Sequence, residues 1–242
     1  MKPEPRFWAV IPAAGVGSRM RADRPKQYLP LAGRTVIEQT LDIFLRHPRI
    51  AGVVVAVSHD DAYFPSLCPT ADKPLKVVDG GAERCHSVLN ALRGLKALAQ
   101  PDDWVLVHDA ARPCLSDEDL EGLIQALGDD PVGGILATPV RDTKKRATPD
   151  GRIAATVDRS DLWRAFTPQM FRLDALAGAL EKALNDGFMV TDEASALEHA
   201  GQSPRLVEGS AENIKITRPE DLRLAEFYLA ERKRASTTRN ET

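Results

Sequence analysis

Phe7-Trp8-Ala9-Val10-Ile11-Pro12-Ala13-Ala14-Gly15-Val16-Gly17-Ser18-Arg19-Met20 is the stretch whose reading decides the fold of this chain. Phe7 to Ile11 is an unbroken apolar run, short enough for a strand buried on both faces. Pro12 ends it, and small residues with two glycines follow at once. A buried strand feeding such a loop lets backbone approach a bulky anion, with N–H groups pointing inward as a phosphate nest. Arg19, and then Lys26 in Pro25-Lys26-Gln27, add two cations to the same feature. A plain β–α turn would account for the glycines but not for both cations. Two common phosphate motifs are excluded. A P-loop needs Gly-Lys-Ser/Thr where this chain has Gly17-Ser18-Arg19, and the dinucleotide fingerprint needs a third glycine where Met20 stands. A dehydrogenase is therefore not expected.

Outward from this loop, strand and helix patterns alternate. Thr35 to His47 reads as a helix, with Thr35 and Glu38 as a capping box and Val36, Ile37, Leu41, Phe44 and Leu45 as one apolar stripe. Gly52–Val57 and Lys76–Val78 read as strands, Ala82–Ala99 as a helix and Trp104–Val107 as a buried strand. A helix is expected from Ser116, with Ser116 and Asp119 as its capping pair, and a strand over Gly134–Val140. Leu173–Leu184 and Asp192–His199 read as helices and Asn213–Ile216 as a short strand. Pro219–Arg232 reads as a last helix with Thr217 and Glu220 as its capping box, before a polar tail expected to fray from about Lys233. The expected fold is α/β: one domain over residues 1–242, a Rossmann-like, mostly parallel sheet with helices on both faces. Ligands of such sheets bind beyond the carboxyl ends of the strands. Pro12 to Arg19, Gly80 to Ser87, and Asp109 all fall there.

The alternation breaks between Val140 and Arg159. Short extended segments flank Thr148-Pro149-Asp150-Gly151, a tight turn with glycine in its left-handed position. This inserted hairpin carries Arg141, Lys144, Lys145, Arg146, Arg152 and Arg159. It reads either as a solvated surface hairpin or as an arm that grips a second subunit and brings a cation to its site.

The 242 residues suit one large α/β domain, and 43% hydrophobic with 28% charged residues can supply a sizeable core. A net charge of −3 without a long basic block points away from nucleic acid and membrane surfaces. Cys68, Cys85 and Cys114 are odd in number and form no CxxC pair, so reduced thiols in the cytoplasm are expected rather than disulfides or zinc. Met1 to Arg6 has no apolar signal core, and no apolar run approaches the ~18 residues of a membrane span.

Two further segments could carry chemistry. In Val107-His108-Asp109-Ala110-Ala111-Arg112-Pro113, Asp109 sits at the end of a buried strand. Mg²⁺ is commonly held by one or two carboxylates plus substrate phosphates, and Asp109 is placed for that, or simply for capping a turn. His108 is read as a packed strand residue with no role. In Asp79-Gly80-Gly81-Ala82-Glu83-Arg84-Cys85-His86-Ser87, the glycines permit close approach to a flat base and Ser87 can hydrogen-bond it. A strand-to-helix turn with an inward serine accounts for the same residues.

The ordered segments PAAGVGSRM, PKQY, VVDGGAERCHSV, VHDAARPC, PVRDTKKRA, TVDRSDLW, TPQMF, TDEAS, LVEG and NIKIT resemble the 2-C-methyl-D-erythritol 4-phosphate cytidylyltransferases of the non-mevalonate isoprenoid route. The resemblance runs from about Phe7 to Leu229. It implies a nucleotide-diphospho-sugar transferase-like fold with a β-arm at about 140–159 that interlocks two subunits. It implies CTP and methylerythritol phosphate as substrates, Mg²⁺ as cofactor, and a homodimer. By the same resemblance Arg19 and Lys26 stabilise the transition state. Pro12, Ala13, Ala14, Gly15, Val16, Gly17 and Ser18, with Gly81, Ala82, Ser87, Asp109 and Ala110, bind the nucleotide. Asp109, Thr143, Arg159, Thr167, Thr191 and Lys215 surround the acceptor, and Arg159 reaches the neighbouring subunit's site. One departure is Ala82, acidic in some members; backbone contact there makes the change mild. Ribitol 5-phosphate cytidylyltransferase is the alternative within the same machinery. A regulatory nucleotide binder leaves the paired cations unexplained, and a purely structural dimerisation protein leaves the glycine loop unexplained.

Overall fold

The computed structural model describes residues 4–15, 23–67 and 72–240, with the side chains of 236–240 outside the description. Its centre is a seven-stranded sheet. β1 (Phe7–Pro12) pairs in parallel with β4 (Ile50–Val57) on one side and β6 (Trp104–Val107) on the other. β5 (Leu75–Asp79) extends the sheet beyond β4. On the far side, β10 (Trp163–Arg172) lies antiparallel between β6 and β7 (Gly133–Pro139), and β11 (Arg205–Glu208) closes the edge in parallel with β7. The order is β11-β7-β10-β6-β1-β4-β5. Two small ribbons complete the strands: β2 (Pro30–Leu31) with β3 (Arg34–Thr35), and β8 (Lys144–Ala147) with β9 (Ile153–Val157).

Successive side chains of a strand point to opposite faces, and β1 divides its residues accordingly. Phe7, Ala9 and Ile11 pack with α1 (Val36–Arg46) and α3 (Asp117–Leu127) through Ile37, Leu41, Phe44, Leu120 and Leu123. Trp8 and Val10 pack with α2 (Arg84–Leu95), α4 (Leu173–Asn185) and α5 (Glu193–His199) through Val88, Leu92, Leu176, Leu180 and Leu197. A third cluster seats α6 (Pro219–Asn240) through Ala225 against Leu31, Val36 and Ile216. Among the described residues no helix is long and apolar enough to cross a membrane.

Local signals explain most element starts. Thr35 and Glu38 form a reciprocal capping box at α1, worth about 1 kcal/mol. At α3 only half of the expected pair forms: Ser116 accepts from the Asp119 N–H, but the Asp119 carboxylate accepts instead from the Ser210 N–H. At α6 the carboxylate that reaches back is Asp221, not Glu220; it accepts from the N–H groups of Thr217 and Arg218. That helix continues to Asn240 rather than stopping near Arg232, since Lys233, Arg234 and Ala235 are good helix formers.

Three parts of the sheet differ from the sequence reading. β10 was not foreseen, because Pro168 in its interior argues against a strand. Its pairing with β7 shifts register between Ala165 and Gln169, where that proline sits. β11 is a four-residue, mostly exposed edge strand with little apolar signal. Asn213–Ile216 is not a strand: it crosses the strand ends, with Ile216 N–H donating to Ala111 O at 2.8 Å and Asn213 Nδ2 donating to Thr167 O at 2.7 Å.

Candidate active site

Three loops meet at the carboxyl edge of β1, β4, β5 and β6. The first, Pro12–Gly15, follows β1; Ala13 N–H donates to Ala56 O at 2.7 Å, so the β1–β4 ladder continues into it. The buried Gln27 then fixes it, with Nε2 donating to Ala13 O at 2.6 Å and to Gly15 O at 3.1 Å. The second loop, Gly80–Glu83, lies against it. A Cβ on Gly80 would collide with the Ala14 methyl, and one on Gly81 with the His86 Cβ. The two glycines therefore answer to neighbouring protein atoms, where the sequence reading invoked a base. Ser87 pins this turn: its hydroxyl accepts from Gly81 N–H at 3.0 Å and lies 3.2 Å from Glu83 O. The third loop follows β6 and carries Asp109.

These loops enclose a cavity of about 320 Å³, within the range of small-molecule sites. Pro12, Ala13, Ala14, Gly15, Lys26, Gly81, Ala82, Ser87, Asp109, Ala110 and Lys215 all line it. Thr143, Arg159, Thr167 and Thr191 do not. Thr167 is buried beneath Asp109, and Thr143 and Arg159 are exposed on the arm, where the Arg159 guanidinium donates to Arg141 O. Thr191 stands at the lead-in to α5, its N–H donating to Ser195 Oγ. Val16, Gly17, Ser18 and Arg19 lie outside the described residues.

Asp109 is 7% exposed and is the electrostatic centre of the cavity. Arg84 Nε donates to its Oδ1 at 3.0 Å; Lys215 Nζ and Arg112 Nε approach Oδ2 at 2.9 and 3.3 Å. Burial would raise its pKa, but Arg84, then Lys215 and Arg112, hold the carboxyl well below the usual carboxylate range. Glu193, fully buried, takes the fork of Arg84 at 2.6 and 3.0 Å. Burial pushes the Arg112 guanidinium down, whereas in Arg84 the two carboxylates outweigh burial and push it up. Both stay charged, because a guanidinium starts so far above neutral pH. Three cations thus face two carboxylates, and Lys26 stands close by, its Nζ donating to Ile216 O at 2.9 Å; among the described lining residues Lys26, Arg84 and Lys215 outnumber Glu83 and Asp109. The cavity carries net positive charge although the chain does not.

A chain of hydrogen bonds fixes the Asp109 backbone. His108 Nε2 lies 3.0 Å from Arg112 O, a pure acceptor, so this nitrogen carries the proton. Nδ1 is then an acceptor for the Thr167 hydroxyl at 3.1 Å, and that oxygen accepts from Asp109 N–H at 3.1 Å. Both ring nitrogens are engaged, and burial lowers the imidazole to about 4. His108 is a neutral structural group, as its strand position suggested.

Arg84, Arg112, Glu193 and Gln27 were missed as site residues by sequence reasoning. Arg84 and Arg112 each stand a few residues past a strand end, the same signal that picked out Asp109. Glu193 lay in plain view as an acid in the first turn of an apolar helix.

The expected Mg²⁺ ligation by Asp109 does not suit this arrangement. Both carboxylate oxygens already accept from cations within 3.3 Å, and their charge opposes a divalent ion at the same place. Among the described residues the side chains clustered closely enough to hold an ion are Glu83, Cys85 and His86, a thiol–imidazole set too soft for magnesium.

A cleft at the carboxyl edge of an α/β sheet, cationic inside and lined by close-approach loops, belongs to a nucleotidyltransferase. The chain is a member of the 2-C-methyl-D-erythritol 4-phosphate cytidylyltransferase family, whose model matches residues 7–231. The 2-C-methyl-D-erythritol 4-phosphate cytidylyltransferase of Pseudomonas aeruginosa strain PAO1 is 63% identical over 219 residues, covering 90% of this chain and 94% of that protein. The enzyme of the same name from Pseudomonas fluorescens SBW25 is 59% identical over 230 residues, covering 95% and 98%. A crystal structure of 4-diphosphocytidyl-2C-methyl-D-erythritol synthase superposes with a TM-score of 0.80 at 40% identity, covering 94% of this chain and 100% of that one. The Francisella tularensis 2-C-methyl-D-erythritol 4-phosphate cytidylyltransferase gives 0.79 at 38% identity, covering 92% and 99%.

Proposed function

We propose that this chain transfers CMP from CTP to 2-C-methyl-D-erythritol 4-phosphate, giving 4-diphosphocytidyl-2-C-methyl-D-erythritol and pyrophosphate for isoprenoid precursor synthesis. The observation that carries the reading is the cationic cavity centred on Asp109, in a chain of this family. A phosphate oxygen of the acceptor attacks the α-phosphorus of CTP, and the bond to the leaving pyrophosphate breaks. The acceptor monoester has its second pKa near ~6, so it is already mostly dianionic at neutral pH and needs no general base. The neutral, doubly bonded His108 is consistent with that.

The difficulty is charge: two polyanions must meet, and negative charge grows on the α-phosphate. The loops at Pro12–Gly15 and Gly81–Ala82 receive the nucleotide, and Val16, Gly17 and Ser18 are assigned to the same ligand by the family resemblance. Lys26 and Arg19 stabilise the developing charge. Asp109, Ala110 and Lys215 line the cavity where nucleotide and acceptor would meet, Thr167 supports Asp109 from beneath, and Thr191 borders the acceptor side. Lys215 lines the cavity and is the cation proposed for the acceptor phosphate, with Arg112 packed behind it on Asp109. Mg²⁺ is taken as the cofactor on the strength of the family; with Asp109 engaged by three cations, the ion would be held through the substrate phosphates. The β8–β9 hairpin acts as the arm of a homodimer, carrying Thr143 and Arg159 to the partner's site. A cytoplasmic location is supported by Cys85 and Cys114, buried and unpaired.

The test is pyrophosphate release by the purified protein with CTP and Mg²⁺, comparing 2-C-methyl-D-erythritol 4-phosphate with ribitol 5-phosphate. Release with only the first is expected. Release with only the second would keep the nucleotide chemistry and overturn the acceptor.

A further inference from the structure

Glu193 is the most deeply buried acid of the site, and the proposed chemistry gives it nothing to do. Its carboxylate is spent on the two terminal nitrogens of Arg84, at 2.6 and 3.0 Å. The remaining nitrogen of the same guanidinium donates to Asp109 at 3.0 Å. One planar cation therefore spans two buried carboxylates. A guanidinium can do this because its donors are fixed in one plane; an ammonium is a point charge and cannot hold both in register.

The two partners begin different helices, joined beside the cavity. Arg84 begins α2 and directly follows the Gly81-Ala82-Glu83 turn, on the nucleotide side. Glu193 begins α5, two residues after Thr191, on the acceptor side. The start of α5 is also fastened to β10: Gln169 Nε2 donates to Asp192 at 2.9 Å, and Gln169 Oε1 accepts from Ala194 N–H at 2.9 Å. β10 in turn holds the Asp109 backbone through Thr167. Asp109, the α2 start and the α5 start thus form a closed loop of contacts. Arg84–Glu193 is its direct link between the two helix starts.

We infer that Glu193 and Arg84 are positioning residues for the acceptor half of the site: Glu193 orients Arg84, which orients Asp109 and locks the Thr191 lead-in to the nucleotide turn. This rests on the functional reading above, and the wild-type protein tests that reading independently. The nucleotide loops have their own fastenings, Gln27 to Ala13 and Gly15 and Ser87 to Gly81, so they do not need the bridge. The bridge's loss reaches the nucleotide only through Asp109 and falls chiefly on the acceptor.

The experiment is steady-state kinetics of wild type, Glu193→Gln and Arg84→Lys with each substrate varied in turn, beside thermal midpoints. Wild-type turnover of CTP with methylerythritol phosphate establishes the baseline; its absence would overturn the functional reading before the bridge is tested. Given that baseline, Glu193→Gln is expected to raise the acceptor KM about 10- to 100-fold, the scale for misplacing a site by about 1 Å, and to leave the CTP KM within about threefold. Arg84→Lys, which keeps the charge but not the fork, is expected to show the same split, and it decides the matter if Glu193→Gln does not fold. A lowered thermal midpoint with unchanged KM values would overturn the inference and leave the bridge a purely structural contact. A rise confined to the CTP KM would overturn it equally.

Discussion

Lys26 and His108 illustrate how differently two polar side chains serve one cavity. Lys26 lines it with a charge, its Nζ donating to Ile216 O. Lys26→Ala is expected to lower kcat by roughly 10²-fold or more, the scale for one preorganised donor. A folded variant with near-normal turnover would remove Lys26 from the mechanism. His108 contributes through being uncharged. Burial holds it down to about 4, against about 6.5 in an unfolded chain. Between those values the unfolded chain takes up a proton that the folded one refuses. Stability is therefore fully present above pH 6.5 and falls as pH drops toward 4, by about 3 kcal/mol from this residue. His47, also lowered by burial, adds to the same window, and Asp109 adds a further loss only below its unfolded value of 3.8. His108→Gln, which keeps a donor toward Arg112 O, should flatten much of the fall in thermal midpoint between pH 6.5 and 4.5. An unchanged slope would assign the effect elsewhere.

At the scale of elements, legibility followed the source of each element's stability. β1, β4 and β6 are buried on both faces, so their own residues announce them. α1 carries its capping box and its apolar stripe within one segment. β10 and β11 are different, because their place depends on partners far along the chain. β10 holds a proline and is completed by β6 and β7 on either side. β11 is accepted because β7 offers Gly134 opposite it, where any Cβ would run into Arg205 O. Gly134→Ala should therefore push β11 from the edge and cost about 1–3 kcal/mol. Chemical denaturation measures this, and a loss under about 0.5 kcal/mol would mean that the edge is loosely held. The site divides in the same way. The loop residues Pro12–Gly15, Gly81, Ser87 and Asp109 were readable because strand ends announce ligands. The Arg84–Glu193 bridge was not, since its members are 109 positions apart and neither has a local reason to be where it is.

At the scale of the molecule, the net charge of −3 and the positive cavity belong together. Cations are concentrated at the cavity, while the chain as a whole carries a slight excess of acids. The β8–β9 hairpin adds the remaining cations, and as the arm of a dimer it is expected to supply Arg159 to the partner. Arg159→Ala should chiefly raise the acceptor KM. Mixing Lys26→Ala and Arg159→Ala subunits should then restore activity, because in a symmetric dimer each heterodimer rebuilds one complete site, roughly a quarter of all sites after random exchange. Assayed at low acceptor concentration, a mixture no more active than its components would place Arg159 in its own subunit's site.

All four residues of β8 and the first four of β9 are exposed on the single chain. A lone two-stranded ribbon is marginal in water, so the hairpin takes its firmness from whatever it embraces. An enzyme built this way becomes a gauge of its own abundance. On dilution below the dissociation constant of the proposed dimer, turnover per subunit is expected to decline even though every polypeptide remains folded around its sheet.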